Sequence, residues 1–178
     1  MHISHKMEQD NTPPPAVIIF GCGNLLLGDD GFGPAVIEVL NRLGLPGSVV
    51  AIDAGTGIRE YLLDYLMLPS LRPQLLVVVD AGYEPGLPAG TVQVGGVEAM
   101  TARKINDFSL HQFPSVNLLA ELQEEAGVEV KLVTAQSTPG AECLQMGLSQ
   151  AMQAAVADAC RSIGRLIEPY TSAEVAAR

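Results

Sequence analysis

Four aspartates and one histidine are the side chains whose types and positions could do hydrolytic or metal chemistry in this sequence. Asp29 and Asp30 sit in the loop Gly21-Cys-Gly-Asn-Leu-Leu-Leu-Gly-Asp-Asp-Gly-Phe-Gly, after the apolar run Ala16 to Phe20. Asp53 ends the run Val49 to Ile52, and Asp80 ends the run Leu75 to Val79. A single aspartate in such a place has an ordinary role, capping a helix or turning the chain through its side-chain oxygen. Four on one edge are harder to explain that way. Like charges held close repel and shift each other's pKa, and a cation among them relieves this. Carboxylate oxygens with an imidazole suit a first-row divalent metal, and imidazole suits nickel and zinc among others. His2 and His5 lie in a polar N-terminal arm and are read as solvated. His111, in Phe108-Ser-Leu-His-Gln-Phe-Pro, lies in the long connection ahead of a helix; taken by itself it reads more readily as a hydrogen-bonded surface or loop histidine than as a ligand.

Two other chemistries fail on inspection of the first loop. A dinucleotide fingerprint also follows a strand and opens a helix, but its third glycine would fall at Leu26, and two aspartates would face the pyrophosphate. Cys22 could be a nucleophile. It follows directly on a buried strand, however, where cysteine behaves as a small hydrophobe, and Cys143 and Cys160 are read as packing residues too. Ser109 and Gln112 have the spacing of a capping box.

The elements that must position these residues follow from periodicity. Ala16 to Phe20, Val49 to Ile52 and Leu75 to Val79 are short apolar runs, expected as strands buried on both faces. Between them, Pro34 to Leu43 and a stretch opened by Thr56, with Ile58, Tyr61, Leu62, Tyr65 and Leu66 inside, carry helical spacing. Strand, helix, strand, helix, strand implies a parallel sheet with right-handed crossovers. The connection Gly82 to Gly90 is too short and too rich in Pro and Gly for a helix, so Thr91 to Val94 is expected to return antiparallel. A third helix is marked by Leu118, Leu119 and Leu122, a fifth strand by Val128 to Ala135, and a last helix, capped by Ser149, runs to about Ile167. The expected fold is a single three-layer α/β/α domain over residues 16–168. Its mixed five-stranded twisted sheet has one antiparallel strand and about four flanking helices. A flexible arm, 1–15, and a loose tail, 169–178, complete the chain. Parallel strands bring their C-terminal ends to one edge, where such folds bind ligands.

Composition narrows the function. A chain of 178 residues with 48% apolar content can build one core, and with 4% aromatics that core must be aliphatic. A net charge of −10 argues against nucleic acid, which needs clustered Lys and Arg. The apolar runs fall far short of the roughly 20 residues that span a bilayer, and the polar start lacks the apolar core of a secretory signal. Three scattered cysteines form no disulfide framework. A cytoplasmic location is expected.

Taken together the motifs resemble the nickel-iron hydrogenase maturation endopeptidases. The resemblance rests on Gly21-x-Gly-Asn-x-Leu-Leu-Gly-Asp-Asp-Gly, Asp53-Ala-Gly-Thr, Asp80-Ala with a later Pro88-x-Gly-Thr, Ser109-x-His111-Gln, and Gly147-Leu-Ser149 ahead of a helix. Separated motifs in the right order, over roughly residues 16–167, make it specific. It implies an enzyme that removes the C-terminal extension of a hydrogenase large-subunit precursor after nickel insertion, with nickel in the substrate as the recognition signal. It also implies that Asp30, Asp80 and His111 bind the metal, carried by the precursor rather than held by the resting enzyme. Asp53 is then a support or catalytic participant, and Asp29 supports the helix start, so that Asp29→Asn should cost little stability. Many members of the family carry Glu at the position of Asp30, and the loop is most similar to members serving deazaflavin-reducing and heterodisulfide-reductase-linked hydrogenases. Two other functions fit some of the residues: a non-catalytic nickel-site checkpoint or metallochaperone binding the same precursor, and a peptidyl-tRNA hydrolase, which also opens on Gly-x-Gly-Asn.

Overall fold

The computed structural model describes residues 14–98, 113–138 and 144–175. Strands β1 (Val17–Cys22), β2 (Val49–Gly55) and β3 (Leu75–Gly82) are parallel, with β1 in the middle. All six residues of β1 are buried, as are the first five of β3, which is what a strand covered on both faces requires. Alternation along β1 divides the interior into two cores. Val17 and Ile19 join one with α1 (Phe32–Leu43) and α4 (Gln150–Val175), through Val36, Ile37, Met152 and Ile163. Ile18 and Phe20 join the other with α2 (Ile58–Met67) and α3 (Phe113–Glu124), through Leu62, Tyr65, Leu119 and Leu122. The three layers are thus α1 and α4, the sheet, and α2 and α3. Phe20 supplies the aromatic centre of the second core, its ring 5.0 Å from Tyr61 and 6.3 Å from Tyr65.

The sheet order is β2-β1-β3-β5-β4, and β4 (Val92–Gly95) runs antiparallel to β5 (Glu129–Gln136). The antiparallel return is as expected, but β4 does not lie beside the strand that precedes it. The 83–91 connection crosses the end of β5, where buried Gln136 holds it. Glu84 N–H donates to the Gln136 side-chain oxygen at 2.9 Å, and Gly90 N–H to its carbonyl at 2.8 Å. Leaving a place between β3 and β4 lets β5 enter parallel to β3 and complete the sheet.

Two local expectations change. Thr56 does not cap α2; the N-cap residue is Gly57, with no side-chain cap bond, and Arg72 instead closes the other end by donating to the carbonyls of Tyr65 and Leu66 at 2.8 and 2.9 Å. The segment expected as a loose tail from Pro169 is helical, since α4 continues through Pro169 to Val175. Interactions beyond the proline offset its missing N–H. Thr171 is buried and donates to the Glu168 carbonyl at 3.2 Å, and the Tyr170 hydroxyl donates to the Glu129 carboxylate at the start of β5. That bond, with Lys131 beside it, holds Glu129 below the usual carboxylate range and pushes the Tyr170 hydroxyl up to about 12. Ser149 caps α4 as expected, its hydroxyl accepting from Met152 N–H at 3.4 Å. Among the described residues no helix is long and apolar enough to cross a membrane.

Candidate functional site

The first loop folds back on itself at the C-terminal edge of the sheet. Gly23 has φ +123°, and a Cβ there would lie 1.8 Å from the Asp30 carbonyl oxygen, so no other residue fits that crossing. Asn24 then organises the turn: its side-chain oxygen accepts from Leu26 N–H at 3.0 Å and its carbonyl from Leu27 N–H at 3.0 Å. Asn24 N–H donates to Asp30 Oδ2 at 2.6 Å, a short charge-assisted bond that fixes the half-buried Asp30 carboxylate over the loop's start. Its second oxygen is the atom through which Asp30 can take a cation or a water. Gly23 N–H in turn donates to the Gly55 carbonyl at 3.0 Å, fastening the loop to the end of β2.

Asp29 goes elsewhere. It is only 2% exposed, and its carboxylate accepts from Ser149 N–H at 2.7 Å, Ser149 Oγ at 3.1 Å and Thr138 N–H at 3.5 Å. Instead of supporting the helix that follows it in sequence, it anchors the loop to the start of α4 and the end of β5. A negative charge at the N-terminus of that long helix is also electrostatically favoured. Asp29→Asn therefore costs more than the sequence suggested. An amide would keep one acceptor and turn a donor toward Thr138 N–H, so the expected loss is about 1–3 kcal/mol. Urea unfolding measures it, and a change under about 0.5 kcal/mol, the ordinary surface value, would refute the anchor.

Asp53 and Asp80 stand on either side of β1. Asp53 is the register partner of Gly21, as is Val79, the residue before Asp80. Two strand spacings separate the two aspartates' strands, roughly 9–10 Å. By alternation Asp53 shares a face with Val49 and Ala51, the α1 and α4 side, whereas Asp80 shares the α2 and α3 side with Leu76 and Val78. Asp53 is exposed, and its Oδ1 accepts from Gly55 N–H at 3.0 Å, a turn-forming bond. Half-buried Asp80 accepts from Ala81 N–H at 2.9 Å and lies on the face that leads to α3, the helix that follows His111 in sequence. His111 itself lies outside the described residues, as do Ser109, Gln112 and Cys143.

All four aspartates thus reach the expected edge, but they do not gather as one group. Asp29 turns inward, Asp53 closes a turn, and Asp30 and Asp80 remain, one in the loop that follows β1 and one near the end of the neighbouring β3. Among the described residues no three His, Cys, Asp or Glu side chains come together to hold a metal. The donor chemistry of Asp30 and Asp80 suits a divalent ion, with an imidazole needed as third partner. Cys22 is buried in the second core with Ile18, Phe20 and Val78, and Cys160 is half-buried in α4, where burial pushes its thiol up. The residues that sequence reasoning passed over are Asn24, Thr138 and Gln136, together with the Asp29 contact of Ser149. An Asn-x-x-x-x-x-Asp spacing hints at the first; the others join segments far apart in sequence.

The chain matches the family model for hydrogenase maturation proteases (HycI) over residues 34–165, beginning just past the first loop. A Methanocaldococcus jannaschii protein provisionally named as a hydrogenase maturation protease is 36% identical over 120 residues, 67% of this chain and 75% of that one. The coenzyme F420 hydrogenase subunit delta of Methanothermobacter thermautotrophicus is 30% identical over 151 residues, 83% of this chain and 91% of that one. In fold, the chain is similar to the hydrogenase-maturating endopeptidase HybD of Escherichia coli, with a TM-score of 0.71 at 24% identity, covering 86% of this chain and 93% of that one.

Proposed function

The chain belongs to the hydrogenase maturation protease family, and from that membership we propose that it removes the C-terminal extension of a nickel-iron hydrogenase large-subunit precursor. It is a hydrolase, an endopeptidase of hydrogenase maturation. What goes further is the order of events and the site: nickel is in the precursor before the cut, and Asp30, Asp80 and His111 meet that nickel when the precursor docks. The observation that carries this is the first loop, whose Asn24–Asp30 bond holds a carboxylate in the loop after β1, the strand paired with the one that ends in Asp80.

Peptide hydrolysis needs a polarised carbonyl, an activated water and a protonated leaving amine. Held by Asp30, Asp80 and His111, the substrate's nickel would mark the right precursor and could supply Lewis acidity. The chain's contribution is orientation. Backbone N–H groups hold one oxygen each of Asp30, Asp53 and Asp80, which fixes the direction of the others without a conformational search. Asp53, exposed at the end of β2, is a support or a proton acceptor for water. The similarity to a subunit of a coenzyme F420 hydrogenase supports a deazaflavin-reducing hydrogenase as the one served. A cytoplasmic site of action fits the acidic composition and the absence of a membrane-length helix among the described residues.

Gel analysis of precursor and mature large subunit after incubation with the purified chain separates an endopeptidase from a checkpoint that binds without cutting. Processing is expected, and an intact tail with folded protein present would overturn it. In the same assay His111→Ala is expected to remain folded and lose processing, because the sequence motif marks this imidazole as a metal ligand and not as a core residue. Unchanged processing would remove His111 from the site.

A further inference from the structure

We propose that Leu25, Leu26, Leu144 and Met146 form the face on which the large-subunit precursor docks, by an apolar patch of that protein rimmed with neutral or basic residues. This rests on the function proposed above and adds where the partner sits.

The four side chains are 54%, 51%, 85% and 79% exposed, a dense group of large apolar residues in two short segments. Those segments are tied side by side. Gln145 N–H donates to the Leu26 carbonyl at 3.0 Å, Gly28 N–H donates to the Gln145 carbonyl at 2.7 Å, and Leu27 and Gln145 form a parallel bridge. The Asn24 turn holds one side, and the buried Asp29–Ser149 contact holds the base of both. Apolar side chains fixed in water by a hydrogen-bonded frame mark an interaction surface rather than slack loop.

Its place identifies the occupant. Leu25 Cδ2 lies 3.3 Å from where a Cβ on Gly31 would sit, so Leu25 packs against the residue next to Asp30. A macromolecule that brings a peptide bond to the Asp30 carboxylate therefore covers Leu25 and its neighbours on the way. Charge agrees: no Lys or Arg occurs between Met7 and Asn41 or between Leu132 and Cys160, so the patch has acidic neighbours in sequence and no basic ones. A second copy of this chain would bring another net charge of −10 to the face and seal Asp30 against substrate. Methionine at the rim adapts to an irregular partner surface.

The test is the full-length double variant Leu26→Ser with Met146→Ser, compared with Leu43→Ser, an exposed apolar residue (73%) at the far end of α1. Affinity for immobilised nickel-loaded precursor and cleavage kinetics are measured on each, with sedimentation velocity on the wild type. The double variant is expected to bind about tenfold more weakly or worse, with KM raised in step and kcat within about twofold, while Leu43→Ser matches wild type. Unchanged affinity, a fall in kcat with KM constant, or a wild-type dimer that the double variant dissociates would each overturn the docking face. If wild-type protein binds the precursor without cleaving it, the cleavage function fails, and the affinity comparison still decides the face. If it neither binds nor cleaves, both fall.

Discussion

Asp30→Asn is expected to stop conversion of precursor to mature large subunit, lowering the rate roughly a hundredfold or more, in a protein that remains folded. The asparagine oxygen can still accept from Asn24 N–H, so the loop closure seen at 2.6 Å survives the change. What disappears is the charge on the oxygen that faces substrate. Asp30→Glu is expected to retain part of the activity, since it keeps the carboxylate, but the extra methylene displaces that group from Asn24. The neighbouring Asp29 gives the opposite pattern. Its carboxylate is committed to Ser149 and Thr138, so Asp29→Asn lowers stability and leaves cleavage in the fraction that is folded. Normal processing by Asp30→Asn together with none by folded Asp29→Asn would place the functional carboxylate one residue earlier.

Gly33→Ala is expected to be the most damaging small substitution in the fold. Gly33 is the second residue of α1, and a Cβ there would come within 2.2 Å of the Cys22 carbonyl oxygen, 2.5 Å of Cys22 N and 2.6 Å of the Val79 carbonyl oxygen. All three are backbone atoms of the two central strands, so nothing yields except the helix itself. Moving α1 outward would open the core around Val36 and Ile37 and pull on the loop that carries Asp30. Overpacking of this kind costs typically 1–3 kcal/mol, and with rigid backbone on both sides the upper end, about 3, is expected. For a chain of this length that lowers the midpoint by about 6–12 °C. Calorimetry of Gly33→Ala beside Gly164→Ala separates packing from glycine effects in general, because Gly164 is also helical and a Cβ there meets nothing within 4 Å. Equal shifts in the two would contradict the close-approach account.

The central strands were legible because burial on both faces leaves an uninterrupted apolar run, as in Val17–Phe20 and Leu75–Val79. The antiparallel β4 was legible from a connection too short for a crossover. The place of β5 between β3 and β4 was not, since it depends on Gln136 receiving Glu84 and Gly90, a contact between segments 52 residues apart in the first case. Pro169 misled for a related reason: a proline signals a helix end locally, and the partners that carry α4 past it lie partly on β5. The placing of Asp53 and Asp80 at the C-terminal edge of the sheet was legible because strand ends can be read from periodicity, whereas the choice of Asp30 came from the resemblance of the first loop to the family. Asp29 was expected to support the helix start that follows it; its contact with Ser149 was not legible, for the two are 120 residues apart.

This chain is expected to cut a large-subunit precursor at its C-terminal extension, and to do so only once nickel is present. Intact-mass measurement of the precursor, purified with and without nickel and incubated with the full-length chain, tests both parts together. The expected result is loss of one C-terminal peptide from the nickel-loaded precursor, with the nickel-free precursor unchanged. Unchanged mass in both samples, or equal cleavage of both, would contradict it.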